Sequence, residues 1–382
     1  MRPATAAAFI LIALASAVLG FSRPAAAGVS SDVSGSWSSG APMPTARTEV
    51  TSAQVDGVIY VIGGFRSTGA NTDLVEAYDT AGDSWSTKAP LPQRLDHAGA
   101  AAVAGKVYVA GGYISLAQGT ISTATYEYNP ASNSWAQRAA LPLARAAAAT
   151  VAVNGIVYVL GGVGPQATIP LAYNPTTNSW SQLAPMSVAR EHLTASVVDG
   201  KIYVIGGRQN VTQNVNTAEV YDPDANTWQT LTPMPTARGG LASGTLAGRI
   251  HVVGGEDLSP SRTTFEEHEV YDPTSNTWST APDLPTPRHG LTAQVVSDAL
   301  YVIGGGPTPR LSVSDAVEIF RLAAVGGVTE LPETTQSPAG ADSSDGDLGL
   351  LIAGGVAIVA GAFVLTGAVW YARRRRRRPS PS

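Results

Sequence analysis

The sequence predicts an all-β fold in which six four-stranded sheets stand as blades around one axis, a β-propeller. Three observations predict it. A Gly-Gly pair ends a β-branched run six times. A tyrosine and then a tryptophan follow the pair in five copies. The first glycines (Gly63, Gly111, Gly161, Gly206, Gly254 and Gly304) recur every 45 to 50 residues. A blade of four short strands with its turns has that length. Composition agrees: of 382 residues, 44% are hydrophobic, 14% are charged and 40 are glycine. That is too apolar for a disordered chain and rich in turn formers. There is no cysteine. Packing rather than disulfides must hold the fold, and thiolate metal ligands and thiol nucleophiles are excluded.

Each element of the unit has a physical reading. The innermost strand is small and apolar, as in residues 97–103 (HAGAAAV), which suits crowding near an axis. The second strand is the run ending in Gly-Gly: residues 58–64 (VIYVIGG), 106–112 (KVYVAGG), 156–162 (IVYVLGG), 201–207 (KIYVIGG), 249–255 (RIHVVGG) and 299–305 (ALYVIGG). It has β-branched residues in strand alternation. Glycines without Cβ let the chain turn sharply where neighbouring blades approach. The third strand closes at Tyr78-Asp79, Tyr128-Asn129-Pro130, Tyr173-Asn174-Pro175, Tyr221-Asp222-Pro223 and Tyr271-Asp272-Pro273, with a degenerate Ile319-Phe320 last. Asp or Asn before Pro starts a turn well. Trp85, Trp135, Trp180, Trp228 and Trp278 begin the fourth strand, where a large ring can cover the gap between twisted sheets. A P-x-x-x-x-R-like turn then leads onward, ending at Arg47, Arg94, Arg145, Arg190, Arg238 and Arg288. Recurrence once per blade implies a structural bond rather than a site.

Paired glycines with a following Tyr and Trp at this spacing resemble Kelch repeats, from about Trp37 to Leu322. The resemblance implies a six-bladed Kelch-type propeller. Trp37 precedes any Gly-Gly, and the last unit ends at Phe320 with no tryptophan after it. The N-terminus is therefore expected to supply the outer strand of the blade that the C-terminus completes, which removes an exposed edge.

The two ends predict export and tethering. Residues 1–27 read as a signal peptide: Arg2, an apolar stretch from Ala8 to Leu19, and Ala25-Ala26-Ala27 as cleavage site. The propeller is expected over 28–322 and a flexible Gly/Ser/Thr-rich stalk over 323–347. Residues 348–372 are 25 uncharged residues, enough for a transmembrane helix. Trp370 and Tyr371 suit the headgroup layer, and the basic tail 373–382 with Arg373 to Arg378 is expected in the cytoplasm. The reading is a single-pass cell-membrane protein with an extracellular propeller. The stretch Leu331-Pro-Glu-Thr-Thr335 resembles a sortase signal except that Thr335 stands where that pattern has Gly, so cell-wall attachment is the alternative. Without Arg2, Arg23 and the tail arginines, 16 basic residues face 29 acidic ones in the exported part, which argues against nucleic acid as partner.

In Kelch proteins the loops after Gly-Gly and before the inner strand reach one face, and residues there that break the repeat are the candidates for binding. After Gly-Gly these are Phe65, Arg66, Tyr113, Arg208, Asn210, Glu256 and Asp257; before the inner strand they are Glu49, Asp96 and His192, with His97 and His289. Solvated loop side chains are the ordinary alternative for any one of them. No metal centre and no cofactor are expected, because the five histidines lie in different blades or strands without ligand spacing. His251 takes the slot of a repeat tyrosine and reads as core. No G-x-S-x-G elbow or Walker-type loop is present. Asn210-Val-Thr212 matches a glycosylation sequon. The function expected is a non-catalytic, monomeric cell-surface binding module for an extracellular protein, peptide or glycan. The alternatives are a carbohydrate-active enzyme similar to the six-bladed sialic acid mutarotases, and a structural spacer. Chemistry of the galactose oxidase kind is excluded, because its cross-link needs a cysteine.

Overall fold

Alternating small, β-branched and aromatic residues build the first blade from strands Thr51–Val55, Val58–Ile62, Val75–Asp79 and Ser84–Thr87, paired antiparallel in that order from the axis outward. The same order recurs in the blades that begin at Gly99–Val103, Ala149–Val153, Thr194–Val198 and Ala242–Leu246. The sixth blade is Thr292–Val296, Ala299–Ile303 and Val317–Leu322, with the N-terminal strand Gly35–Ser39 as its outer member. The structure is a computed structural model that describes residues 33–323 apart from Ser261. The expected signal peptide, membrane helix, basic tail and sortase-like stretch, and the expected stalk after residue 323, lie outside the described residues. Among the described residues no helix is long and apolar enough to cross a membrane.

Closure follows the expected register: Trp37 pairs with Phe320, within the run from Gly35↔Leu322 to Ser39↔Glu318. Trp37 then does what the other repeat tryptophans do. Its Nε1 donates to Pro282 O at 2.8 Å, as Trp85 donates to Ala41 O and Trp135 to Ala89 O. Each indole thus ties its blade to the turn leaving the preceding one.

Between blades the core is aromatic. The second-strand tyrosine of one blade meets the third-strand aromatic of the next. Tyr60–Tyr128, Tyr108–Tyr173, Tyr158–Tyr221, Tyr203–Tyr271 and Tyr301–Tyr78 have ring centroids between 5.4 and 6.3 Å apart. In the fifth blade His251 fills this slot, 5.6 Å from Phe320.

The Gly-Gly pair is explained by a close approach. Gly64 N–H donates to Leu95 O of the next blade at 2.9 Å, and a Cβ on Gly63 would lie 2.4 Å from that same oxygen. Both glycines have positive φ, 64° and 89°, which a side chain would strain. The equivalent bond recurs to Arg145, Arg190, Arg238, Arg288 and, closing the circle, from Gly305 to Arg47.

The repeat arginines are structural, with one correction. Arg47, Arg190, Arg238 and Arg288 are fully buried and pair with a third-strand glutamate of their own blade: Glu76, Glu219, Glu269 and Glu318, at 2.7 to 3.0 Å. Arg94 is not one of them. The buried slot in the second blade belongs to Leu95, one residue later, and Arg94 is exposed. The glutamate slot of that blade is Tyr126, set by the Tyr128↔Trp135 register. In the third blade Arg145 faces Leu171 in that slot and spends its guanidinium on the carbonyls of Ala144, Pro165, Gln166 and Ile169.

Two predictions follow from the closing blade. Deleting residues 33–40 removes the strand that covers fully buried Phe320. A loss on the scale of a large core truncation, about 3–5 kcal/mol, should lower the melting temperature by roughly 6–15 °C; an unchanged melt would contradict the closure. The second concerns acid. Beside Phe320, His251 Nδ1 lies 2.8 Å from His268 Nε2, and His268 Nδ1 donates to Pro282 O at 3.2 Å, an arrangement that two neutral rings satisfy. Burial, with Arg249 adding to it, lowers His251 from 6.5 to about 4; burial, with His251 adding to it, lowers His268 from 6.5 to about 3. Between those values and 6.5 the unfolded chain binds more protons than the folded one. Their contribution is therefore intact above pH 6.5 and is lost as pH falls toward 4 and then 3. The variant His268→Val, which copies Val75 and Val317 at the same blade position, should melt with a shallower acid dependence than the parent in a pH series.

Candidate functional site

One mouth of the central channel is built by a ring of six residues, one per blade, each just before an inner strand: Glu49, His97, Ala147, His192, Gly240 and Gly290. Each N–H donates to the carbonyl of the member before it: Glu49 to Gly290, His97 to Glu49, Ala147 to His97, His192 to Ala147, Gly240 to His192 and Gly290 to Gly240, at 2.8 to 3.1 Å. All six have left-handed backbones, with φ between 52° and 70°. Glycine is the natural residue for that geometry. Three positions instead carry ionisable side chains over the channel mouth.

The residue just before each ring member pairs with the residue just after a Gly-Gly: Thr48 with Phe65, Asp96 with Tyr113, Ala146 with Val163, Glu191 with Arg208, Gly239 with Glu256 and His289 with Gly306. This brings the two predicted loop sets together. Glu49, Phe65, Asp96, Tyr113, His192, Arg208 and Glu256 line one bowl of about 680 Å³, with His97 and His289. Arg66, Asn210 and Asp257 do not line it. Arg66 is exposed. Asn210 is exposed at a hairpin tip, with its amide on Gln213, so the sequon is sterically open. Asp257 accepts hydrogen bonds from Ser259 within its own turn.

The floor of the bowl is charged and its side chains are largely buried. His97 Nδ1 lies 2.6 Å from Asp96, and its Nε2 lies 3.3 Å from Glu49 Oε2. His192 Nε2 is 3.9 Å from the same oxygen, and its Nδ1 meets Glu191. His289 Nδ1 is 3.3 Å from the other Glu49 oxygen. Arg208 bridges Glu191 at 2.7 Å and Glu256 at 3.0 Å. Burial pushes the Glu49 carboxyl up, but His97, a hydrogen bond from His289 and His192 outweigh it and hold it well below the usual range. Burial works against the His97 cation, yet Glu49 and Asp96 raise its pKa. Burial and then Arg208 press His192 well below its ordinary value, leaving it neutral. Burial raises Asp96.

The absence of ligand spacing is true of the chain and does not hold in space. Blades one, two and four converge so that one donor atom each of Glu49, His97 and His192 lies within 4.8 Å of the others, an arrangement able to hold a metal ion. Sequence reading missed Glu191, whose only signal was its place before His192 at the Asp96 position of its blade. It also missed the rim. Ile114, Leu116, Val211 and Leu311, the exposed large hydrophobics among the described residues, all stand on this one bowl. They sit in loops that differ in every copy.

Comparison with known proteins agrees with the fold. A Kelch motif model matches residues 46–92, 94–142 and 144–187, and a model described as the KLHDC2/KLHL20/DRC7 Kelch-repeats domain matches residues 171–305. The chain is a six-bladed Kelch-repeat β-propeller. No curated protein matches it. Of the solved structures, 827 chains match. That of YjhT aligns with a TM-score of 0.64 at 19% identity, over 72% of this chain and 95% of that one, a likeness of fold.

Gly290 makes room for the cluster. A Cβ there would lie 2.5 Å from Glu49 Oε1, and φ is +59°; at Gly240 the nearest atom would be 3.4 Å away, at φ +70°. Gly240→Ala should cost the left-handed backbone term alone, roughly 1–2 kcal/mol. Gly290→Ala should cost about 1–3 kcal/mol more in denaturant unfolding, because Glu49 is pinned by histidines. Equal losses would mean that Glu49 moves aside freely.

Proposed function

We propose that the chain is an exported, membrane-tethered binding module whose bowl takes the end of an extracellular peptide or glycan chain, or a protein segment that presents one. The observation that carries this is the pairing of a charged, convergent floor with an apolar rim. About 680 Å³ lies within the usual 300–1,000 Å³ of ligand pockets. A polar terminus suits the carboxylate, imidazole and guanidinium groups below, and apolar or sugar-ring faces suit Leu116, Val211 and Leu311 above. Kelch propellers typically bind protein partners, in keeping with a binding role. The N-terminal apolar stretch, the uncharged run 348–372 and the arginines after it support export and a single-pass anchor. Covalent wall attachment through residues 331–335 is the minor alternative, which mass spectrometry of the mature C-terminus distinguishes.

One observation favours a second reading, a carbohydrate-active enzyme of the mutarotase kind. A carboxylate held ionised, Glu49, sits against an imidazole with a raised pKa, His97. Opening and reclosing a sugar ring needs a base at the anomeric hydroxyl and an acid at the ring oxygen, two oxygens carried by the same carbon. Catalysed anomer exchange, followed by NMR, would favour this reading over passive binding.

Binding is tested on glycan and peptide arrays with the full chain. The rim variant Val211→Asp/Leu311→Asp changes residues that are 64% and 52% exposed and should leave the melt unchanged. It should weaken binding about tenfold or more, the equivalent of 1.4 kcal/mol. Replacing Glu49, Asp96, His192 and Arg208 together should abolish it. Full-strength binding by both variants would place the function elsewhere.

A further inference from the structure

We infer that Glu49, His97 and His192 form a binding site for one divalent first-row transition-metal ion, of which zinc is the natural probe, on the floor of the bowl. The inference rests on the bowl being the functional face.

Donor geometry is the first argument. Zinc is bound by His nitrogen and carboxylate oxygen at about 2.0–2.2 Å, which places tetrahedral donors about 3.3 Å apart. Here the two imidazole Nε2 atoms stand 3.3 and 3.9 Å from one Glu49 oxygen, and the three donor atoms lie within 4.8 Å of one another. An ion at their centre needs only small side-chain shifts.

The far sides of the imidazoles supply the second. A metal-bound histidine usually gives its other N–H to a carboxylate, which fixes the ring and raises its basicity. Asp96 is 2.6 Å from His97 Nδ1, and Glu191 meets His192 Nδ1. Each carboxylate is the residue just before its histidine, at the position that pairs with the residue after a Gly-Gly. Both histidines therefore turn Nε2 toward the same Glu49 oxygen, for the same reason, from different blades.

Charge is the third. Four carboxylates, from Glu49, Asp96, Glu191 and Glu256, gather around one guanidinium, Arg208, which two of them already engage. A dication seated among these carboxylates lowers their mutual repulsion.

Three protein donors leave a position open, as exchangeable zinc sites do and closed structural sites do not. That position faces the bowl. An anionic or hydroxyl-bearing chain end entering past the rim would meet the ion, so the ligand class is one with a carboxylate or vicinal oxygen donors.

The test uses the full chain, stripped with EDTA and titrated with Zn²⁺ alone against a competing chelator. One zinc per chain with a dissociation constant below about 1 µM is expected. His97→Ala and His192→Ala should weaken it at least about 100-fold. Ala147 already holds the same left-handed ring position, so these variants keep a residue the ring accepts. Asp96→Asn, which leaves all three donors in place, should weaken it 10- to 100-fold. The Co²⁺ form should show the visible absorption of a four-coordinate site, lost in His192→Ala. Absence of stoichiometric binding, or equal affinity in the parent and His192→Ala, overturns the proposal. Array binding measured with EDTA and with zinc separates the two claims. Binding that persists in EDTA by a chain that takes up no zinc sinks the metal site alone. Zinc uptake without array binding upholds the metal site and sinks the peptide or glycan reading.

Discussion

Everything near the axis depends on backbone hydrogen bonds that pass from blade to blade and close on themselves. One circle runs through Glu49, His97, Ala147, His192, Gly240 and Gly290; another joins each second glycine of a pair to the carbonyl at the next blade's arginine position. Side chains take no part in either. The first circle requires only a left-handed residue, and the second only the absence of a Cβ at the pair. This division has a consequence for function. Paired glycines are constrained because the next carbonyl would lie 2.4 Å from a Cβ on Gly63. Ring positions at the mouth are constrained in backbone alone, so their side chains are available for chemistry. The chain places Glu and His there in three blades, Ala in one and Gly in two.

Much of the fold was legible because it rests on short-range chemistry written six times. The Gly-Gly period, the tyrosine and the tryptophan each correspond to an interblade contact, and copying made each contact visible. Closure was legible because Trp37 has the repeat's own identity at the wrong end of the chain. The arginine register was misread at Arg94 because an adjacent charge imitated the motif, while the buried slot had become Leu95. The site was half legible. Glu49, Asp96, His192, Arg208 and Glu256 were visible as departures from the repeat in the right loops. Their convergence was not, because His97 and His192 meet only after two intervening blade boundaries have set the curvature. The apolar rim was invisible, since single exposed hydrophobics in variable loops carry no pattern.

The six blades also serve as internal substitutions of one another. Four keep a buried Arg–Glu pair. The second blade has lost both partners, to Leu95 and Tyr126. The third keeps Arg145, with carbonyls in place of a carboxylate. No blade among the described residues keeps a glutamate without its arginine at these slots. That is the asymmetry expected of buried charge. A pair can be exchanged whole for apolar groups at little cost, whereas a single orphaned partner costs about 3–5 kcal/mol. An arginine with five donors can be satisfied by carbonyls; a buried carboxylate has fewer substitutes.

The same reasoning sets the bowl apart from the arginine layer. In the arginine layer four guanidiniums each meet a carboxylate of their own blade. On the floor of the bowl the charges come from different blades, and their partners are shared. Glu49 serves three histidines, and Arg208 serves two carboxylates. Shared partners leave each group partly satisfied, and partial satisfaction of buried charge is unfavourable unless something completes it. The apolar rim above points the same way, since Val211 and Leu311 leave 64% and 52% of their surface exposed to water. A floor of shared, incompletely paired charges beneath a rim short of apolar cover is the imprint of a ligand that completes both.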